Sequence, residues 1–368
     1  MTKITSPQML REIKAAYERR QSAYERRVLV CGGAGCVSCH CQAVRDALEE
    51  AVEALGSPEA AAAALLQEQP AQNKLQVLDE KKRQLSCGGV TEIHVDVRDQ
   101  PVVLEPSPDD WLHIYYREDS GDNYHTSTED GKVCFLHRHV LGPMSLIRGF
   151  YHLFRVRRIL IQLPAAYAGL LDIRSTNGSL HAAGFPSLGA ASFHTSNGGL
   201  TLSRIGCSSL EACTTNASVL LSAVGARSVV ITSSNGGVTL ETVRADGPLE
   251  LRTSNAQVNL RSVACTRASV ETRNGAIQLH EVAAAEAISA ATSNAKIQLD
   301  RLASPRIRLK SSNAALKGTV IGNPRAYSII SRTSNARSSL PGNWEDTSLP
   351  NHLEAVTSNA PIDIDFCE

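Results

Sequence analysis

Thr232-Ser233-Ser234-Asn235-Gly236-Gly237-Val238-Thr239-Leu240 is the stretch on which the fold turns. Small polar residues lead into an Asn and two glycines, the composition of a tight turn. Val238 and Leu240 then flank the polar Thr239, the period-two alternation of a half-buried strand. The same phrase recurs through the second half of the chain: Thr or Ser, usually a second Ser or Thr, Asn, then Gly or Ala. Its asparagines are Asn177, Asn197, Asn216, Asn235, Asn255, Asn274, Asn294, Asn313, Asn335 and Asn359, separated by 20, 19, 19, 20, 19, 20, 19, 22 and 24 residues. A period that regular is the signature of stacked units.

The residues around each Asn keep the same clock. Three positions after it come Leu180, Leu200, Val219, Val238, Val258, Ile277, Ile297 and Leu316. Five after it come Ala182, Leu202, Leu221, Leu240, Leu260, Leu279 and Leu299. Eight after it come Phe185, Ile205, Val224, Val243, Val263, Val282, Leu302 and Ile321. Four before it come Ile173, Phe193, Ala212, Ile231, Leu251, Val270, Ala290 and Leu309. No window holds a sustained helical period, so each rung is expected to run strand, Asn turn, strand, second turn. The fold class is mainly β: a single-stack β-solenoid with rungs of about 19–20 residues over 164–368, preceded by a small α/β N-terminal module.

The Asn has a physical reason in such a turn, because it tolerates the positive φ that a sharp corner often needs. Stacking would put Asn177, Asn197, Asn216, Asn235, Asn255, Asn274, Asn294 and Asn313 in one column, where side-chain amides can hydrogen-bond from layer to layer. The Thr/Ser column before them can do the same with hydroxyls. At about 4.8 Å per layer, nine intervals make a rod of roughly 43 Å. The longer last spacings and the loss of apolar matching near Ser338 predict atypical end rungs, with Trp344 in a capping insertion.

The segment Ile159-Leu160-Ile161-Gln162-Leu163-Pro164-Ala165-Ala166-Tyr167-Ala168-Gly169-Leu170, leading into Ser175-Thr176-Asn177-Gly178, resembles the bacterial adhesin-type β-strand-repeat family. That resemblance covers roughly residues 90–368. It implies a β-solenoid and a non-enzymatic role, with a protein or cell-envelope surface as partner.

Upstream, 87–163 reads as irregular strands punctuated by Pro101, Pro106, Pro108 and Gly121, a capping region for the stack. Polar residues 67–86 read as a linker. Cys134, His137, His139 and His152 have zinc-ligand chemistry but loose spacing, which favours structural or exposed roles. Arg148, Arg155, Arg157 and Arg158 interleave with Phe150, Tyr151 and Phe154, readable as a connector or as a patch for a membrane surface.

Residues 1–66 form the Cys-containing module. Ser6-Pro7 opens a helix whose apolar face is Leu10, Ile13, Tyr17 and Tyr24. Val28-Leu29-Val30 makes a short strand, and a second helix carries Val44, Leu48, Val52 and Leu55 before Gly56. Between them, Cys31, Cys36, Cys39 and Cys41 crowd into one loop. Their thiolates, with His40, could hold Zn²⁺ or an iron–sulfur cluster. Cys36-Val37-Ser38-Cys39-His40 also fits the pattern for covalent haem attachment. A loop of reduced, unliganded thiols is the third reading. Arg27 to Ser38 resembles the opening of the thioredoxin-like [2Fe–2S] module of NADH-linked oxidoreductase flavoprotein subunits. There Cys31 and Cys36 would be the first ligand pair, yet the second pair is missing and Cys87 is the next cysteine. Glu53-Ala54-Leu55-Gly56-Ser57-Pro58-Glu59 is similar to the close of a small helical signalling domain that accompanies such repeats.

The totals narrow the function classes. The 368 residues suffice for two or three domains, and 37 basic against 37 acidic side chains argue against nucleic acid as the main partner. No apolar run is long enough to span a membrane, and Met1 to Pro7 lacks the apolar core of a secretory signal. The expected compartment is the cytoplasm, with peripheral membrane association left open. The rungs carry no clustered carboxylates of a glycan-cleaving solenoid and no Ser-His-Asp signature, so catalysis is not expected. The function expected is a non-enzymatic scaffold presenting Thr, Ser and Asn ladders, needing no cofactor. The alternative is a metal- or Fe–S-binding redox or docking protein working through the cysteine loop.

Overall fold

A computed structural model describes residues 80–118, 122–139, 158–341, 346 and 348–368. In chain order the strands are β1 (Glu80–Ser86), β2 (Glu92–Val97), β3 (Val102–Pro106), β4 (Trp111–Arg117), β5 (Asp122–Glu129), β6 (Lys132–His139) and β7 (Ile159–Leu163). The regular stack follows with β8 (Leu170–Ser175), β9 (Leu180–Thr195), β10 (Leu200–Cys213), β11 (Val219–Thr232), β12 (Val238–Ala245), β13 (Pro248–Arg252), β14 (Val258–Glu271) and β15 (Ile277–Ala291). It closes with β16 (Ile297–Leu302), β17 (Arg306–Lys310), β18 (Leu316–Ile321), β19 (Tyr327–Arg332), β20 (Asn351–Val356) and β21 (Ile362–Cys367). Among the described residues there is no α-helix, and the one helical turn is a 3₁₀ turn at Pro324–Ala326.

The predicted columns are the core. Leu180, Leu200, Val219, Val238, Val258, Ile277, Ile297 and Leu316 pair in parallel register from rung to rung. None of them is more than 1% exposed. The other columns are buried alike, and large side chains can lie beside small ones within them: Phe193 stacks between Ile173 and Ala212. Burial of these aliphatic stems, each worth about 1.5–3 kcal/mol, is what holds the layers. The eighth-position column has one correction. Gly318 shifts the register, so Val320 and not Ile321 packs under Leu302.

The stacking order differs from the sequence order at both ends. β2 lies between β6 and β8, pairing parallel with each, and β3 likewise lies between β7 and β9. The rung of β2 and β3 is therefore the second layer, although it comes first in the chain. At the other end β20 lies between β17 and β19. Its companion β21 follows β18 and is bridged through Ile362 to Ser338. The last rung of the chain is again one layer in, and the rung of Asn335 covers it. The expected end rungs are thus real, but residues 92–106 are part of the stack and not a cap.

The covering strands explain the rest of the upstream region. β4 runs antiparallel to β7, β1 antiparallel to β4, and β5 antiparallel to β6. The linker expected over 67–86 is corrected at its end, since Glu80–Ser86 is a strand. Its Lys81, Lys82 and Arg83 are exposed, which is why it reads as linker. Charges on an outermost strand oppose pairing with another chain.

A second correction concerns the turn. None of the ladder asparagines has positive φ. The left-handed column falls seven residues later, at Gly184, Arg204, Ala223, Thr242, Ser262, Glu281 and Arg301. Six of those seven are not glycine. The Asn turn owes its residue to side-chain bonding instead.

Candidate functional site

The turn phrase builds two ladders along one edge of the stack. The buried Thr/Ser oxygen closes its own turn: Thr195 Oγ1 accepts from the Gly198 N–H at 3.0 Å and Ser233 Oγ from the Gly236 N–H at 3.1 Å. Thr195 Oγ1 also donates across to the neighbouring layer, to the Gly178 carbonyl at 3.3 Å, as Thr292 Oγ1 does to Gly275 at 3.1 Å, whereas Ser233 Oγ donates within its own turn to the Gly236 carbonyl at 2.9 Å. The hydroxyls bond to backbone carbonyls, not to one another. The turn is tight: a Cβ on Gly198 would lie 2.0 Å from the Gly178 carbonyl oxygen.

Beyond them the exposed asparagines form a continuous amide ladder. Asn197 Nδ2 donates to Asn177 Oδ1 at 2.6 Å, Asn216 to Asn197 at 2.6 Å, and Asn235 to Asn216 at 2.8 Å. Asn255, Asn274, Asn294 and Asn313 continue it at 2.7–2.8 Å. Asn359 then donates to Asn313 at 2.8 Å and Asn335 to Asn359 at 2.6 Å, following the stacking order and not the chain order. At its other end Asn177 donates to the Asp99 carboxylate. A carboxylate accepts and cannot donate. Asp99 therefore fixes which way Asn177 faces, and each amide in turn fixes the next.

The outward sides of the strands are polar and charge-paired. On one side Thr201, Thr239, Asn259, Gln278 and Gln298 share a column, interrupted by the half-buried Leu220 between the two threonines. Gln257 donates to Gln278 at 2.9 Å and Gln278 to Gln298 at 3.2 Å. On the other side Arg308 meets Glu354 at 3.1 Å, and Arg252 lies 3.9 Å from Glu271. Exposed pairs of this kind add little stability.

Toward the N-terminal end the same side becomes densely ionisable. His94 lies 3.2 Å from Asp172 and 3.1 Å from Glu92. Glu92 is held below the usual carboxylate range by hydrogen bonds from His94 and Lys132. The Arg174 guanidinium is pushed up by its hydrogen bonds to Asp172. One layer on, Ser192 hydrogen-bonds His194, and in the layer beyond that Cys213 lies 3.6 Å from Glu211. Burial, then the Glu211 charge and hydrogen bond, push the Cys213 thiol up to about 11.

Of the sites expected from sequence, the eight ladder asparagines Asn177 to Asn313 are brought together. Cys31, Cys36, Cys39 and Cys41 lie outside the described residues, as do His152, Trp344 and most of the Arg-rich connector. Cys134 and His137 are on opposite sides of β6, with His137 stacked on Tyr124, so they do not converge. Sequence reasoning missed Asp99, because its turn reads Arg98-Asp99-Gln100-Pro101 and not the repeat phrase. It also missed the grouping of His194, Glu211 and Cys213. The 19-residue offset between His194 and Cys213, one rung apart, was the available signal.

The Toastrack DUF4097 family model matches residues 90–317. No curated protein matches the sequence. Among solved structures the chain is similar to a candidate lipid binding protein from Parabacteroides distasonis, at 12% identity and TM-score 0.41, covering 78% of this chain and 97% of that one. It is also similar to a candidate adhesin from Parabacteroides merdae, at 12% identity and TM-score 0.36 over 78% and 96% of the two chains. A third, from Bacteroides fragilis, has 13% identity and TM-score 0.36 over 78% and 97%. Likenesses this loose transfer nothing about ligands. Among the described residues, no helix is long and apolar enough to cross a membrane.

Proposed function

The chain belongs to the Toastrack DUF4097 family, and from that premise we propose that it is a non-enzymatic, adhesin-like scaffold whose polar ladders dock a protein or cell-envelope surface. The observation carrying this reading is the unbroken amide ladder from Asp99 to Asn335, a rigid edge presenting the same polar group once per layer. A surface built at a spacing of about 4.8 Å suits a partner that is itself extended or repetitive. Rigidity matters because a preordered surface loses little side-chain freedom on binding. Charge steering contributes little, since the chain carries as many acidic as basic side chains.

The test is co-sedimentation of the full chain with isolated bacterial cell envelopes. The wild type is compared with a triple variant, Thr201→Arg, Thr239→Arg and Gln278→Arg, on the outward strand column next to the ladder. Saturable binding that falls tenfold or more in the variant supports the reading. Absence of saturable binding, or full binding by a folded variant, overturns it.

A further inference from the structure

The strongest unassigned grouping is on the outward side of the second and third regular rungs. Ser192 and His194 lie on β9, Glu211 and Cys213 on β10. Parallel register places Cys213 beside His194 and Glu211 beside Ser192, so four side chains form a two-by-two square. Their alternation with buried Phe193 and Ala212 makes all four point away from the core. One donor atom each from His194, Glu211 and Cys213 lies within 4.8 Å of the other two.

We infer that His194, Glu211 and Cys213 form a binding site for a divalent transition-metal ion, with Zn²⁺ the best chemical fit. Imidazole, carboxylate and thiolate are the three ligand types Zn²⁺ takes, at about 2.0–2.3 Å. A tetrahedral centre with such bonds sets its ligand atoms roughly 3.5 Å apart. The observed spread needs about 1 Å of closure, which half-exposed side chains on a rigid sheet can supply by rotamer adjustment. Three protein ligands leave one position open to solvent, the arrangement that admits a water or a partner's donor group. Ser192 bonds the imidazole, an outer contact of the kind that orients ligating histidines.

The neighbours are compatible with a cation. Arg174 is in register beside His194, but both Asp172 oxygens take its Nε at 3.1–3.2 Å. On the far side the square meets neutral Val230 and Thr232. The site is independent of the envelope-docking reading, since its donors are not ladder residues.

The experiment is titration of the metal-free, reduced full chain with Co²⁺ and Zn²⁺, in a background where Cys31, Cys36, Cys39 and Cys41 are changed to Ser so that the N-terminal loop cannot contribute. The expected result is one equivalent of Co²⁺ with a sulfur-to-cobalt charge-transfer band, displaced by Zn²⁺. Cys213→Ser abolishes the band, while His194→Gln and Glu211→Gln each weaken Zn²⁺ binding about tenfold or more. Cys207→Ser, on the same rung, leaves it unchanged. Circular dichroism confirms that each variant folds, and Cys213→Ala serves if the Ser variant does not. No charge-transfer band, or a band that survives loss of Cys213, overturns the assignment.

Discussion

Between Asn197 and Asn294 the chain rises one layer with every pass, whereas at each end it skips a layer and fills it with a distant segment. The middle rungs are nearly interchangeable: each contributes one Asn, one Thr or Ser and one set of aliphatic stems. The end rungs are interlocked. Residues 92–106 are clamped between layers that follow them in sequence, and residues 351–367 between layers that precede them. Local contacts fold the middle, while closing either end requires a long loop before any contact is made.

That contrast can be broken most severely by truncation. A chain ending at Pro341 loses β20 and β21, and with them buried Leu353, Ala355, Ile362 and Ile364 from an interior layer. At about 2–5 kcal/mol for each large side chain, the loss is on the order of 10 kcal/mol, comparable with the whole stability of a domain. Loss of the cooperative thermal transition is the expected readout. Deleting one middle rung, Ala256 to Asn274, should instead preserve a cooperative fold with a modest fall in Tm. Equal effects of the two deletions would show that the ends are not interlocked.

The ladder sharpens the comparison at smaller scale. Asn235→Ala strands the bonds on both sides and should cost about 1 kcal/mol by chemical denaturation. Asp99→Asn keeps one bond but removes the acceptor-only end that orients the column. It should cost less, about 0.5 kcal/mol. A larger cost at Asp99 than at Asn235 would make the end, not the repeat, the seat of the ladder's strength. An effect of similar size but opposite sign is expected in the left-handed column. Thr242 holds φ 55° with a β-branched side chain, so Thr242→Gly should stabilise by about 0.5 kcal/mol after the added chain entropy. Gly184→Ala in the first regular rung should destabilise, because its φ is 88° and the new Cβ would meet Pro106 Cγ at 2.9 Å.

The period, the aliphatic columns and the Asn column are legible from sequence because each layer repeats the same local problem. Stacking order is not legible, because Asn335 and Asn359 carry the same turn phrase and nothing local tells which lies deeper. The left-handed corner hides for a related reason: Arg204, Thr242 and Glu281 are not turn residues, and parallel pairing on both sides imposes their conformation. His194, Glu211 and Cys213 converge only once register is known, since the pattern joins positions a full rung apart. Polar β1 reads as linker because its one inward apolar stem, Leu85, is too little signal.

The buried last rung has a mechanical consequence. Tension applied through the end of β21 cannot peel an outer layer away, because β20 and β21 have neighbours on both sides. Two interfaces must yield at once, and the parallel strands are loaded in shear along their length. In single-molecule pulling from the C-terminal side, the first rupture should release the rungs of Asn335 and Asn359 together, as one step longer than a single turn of the coil.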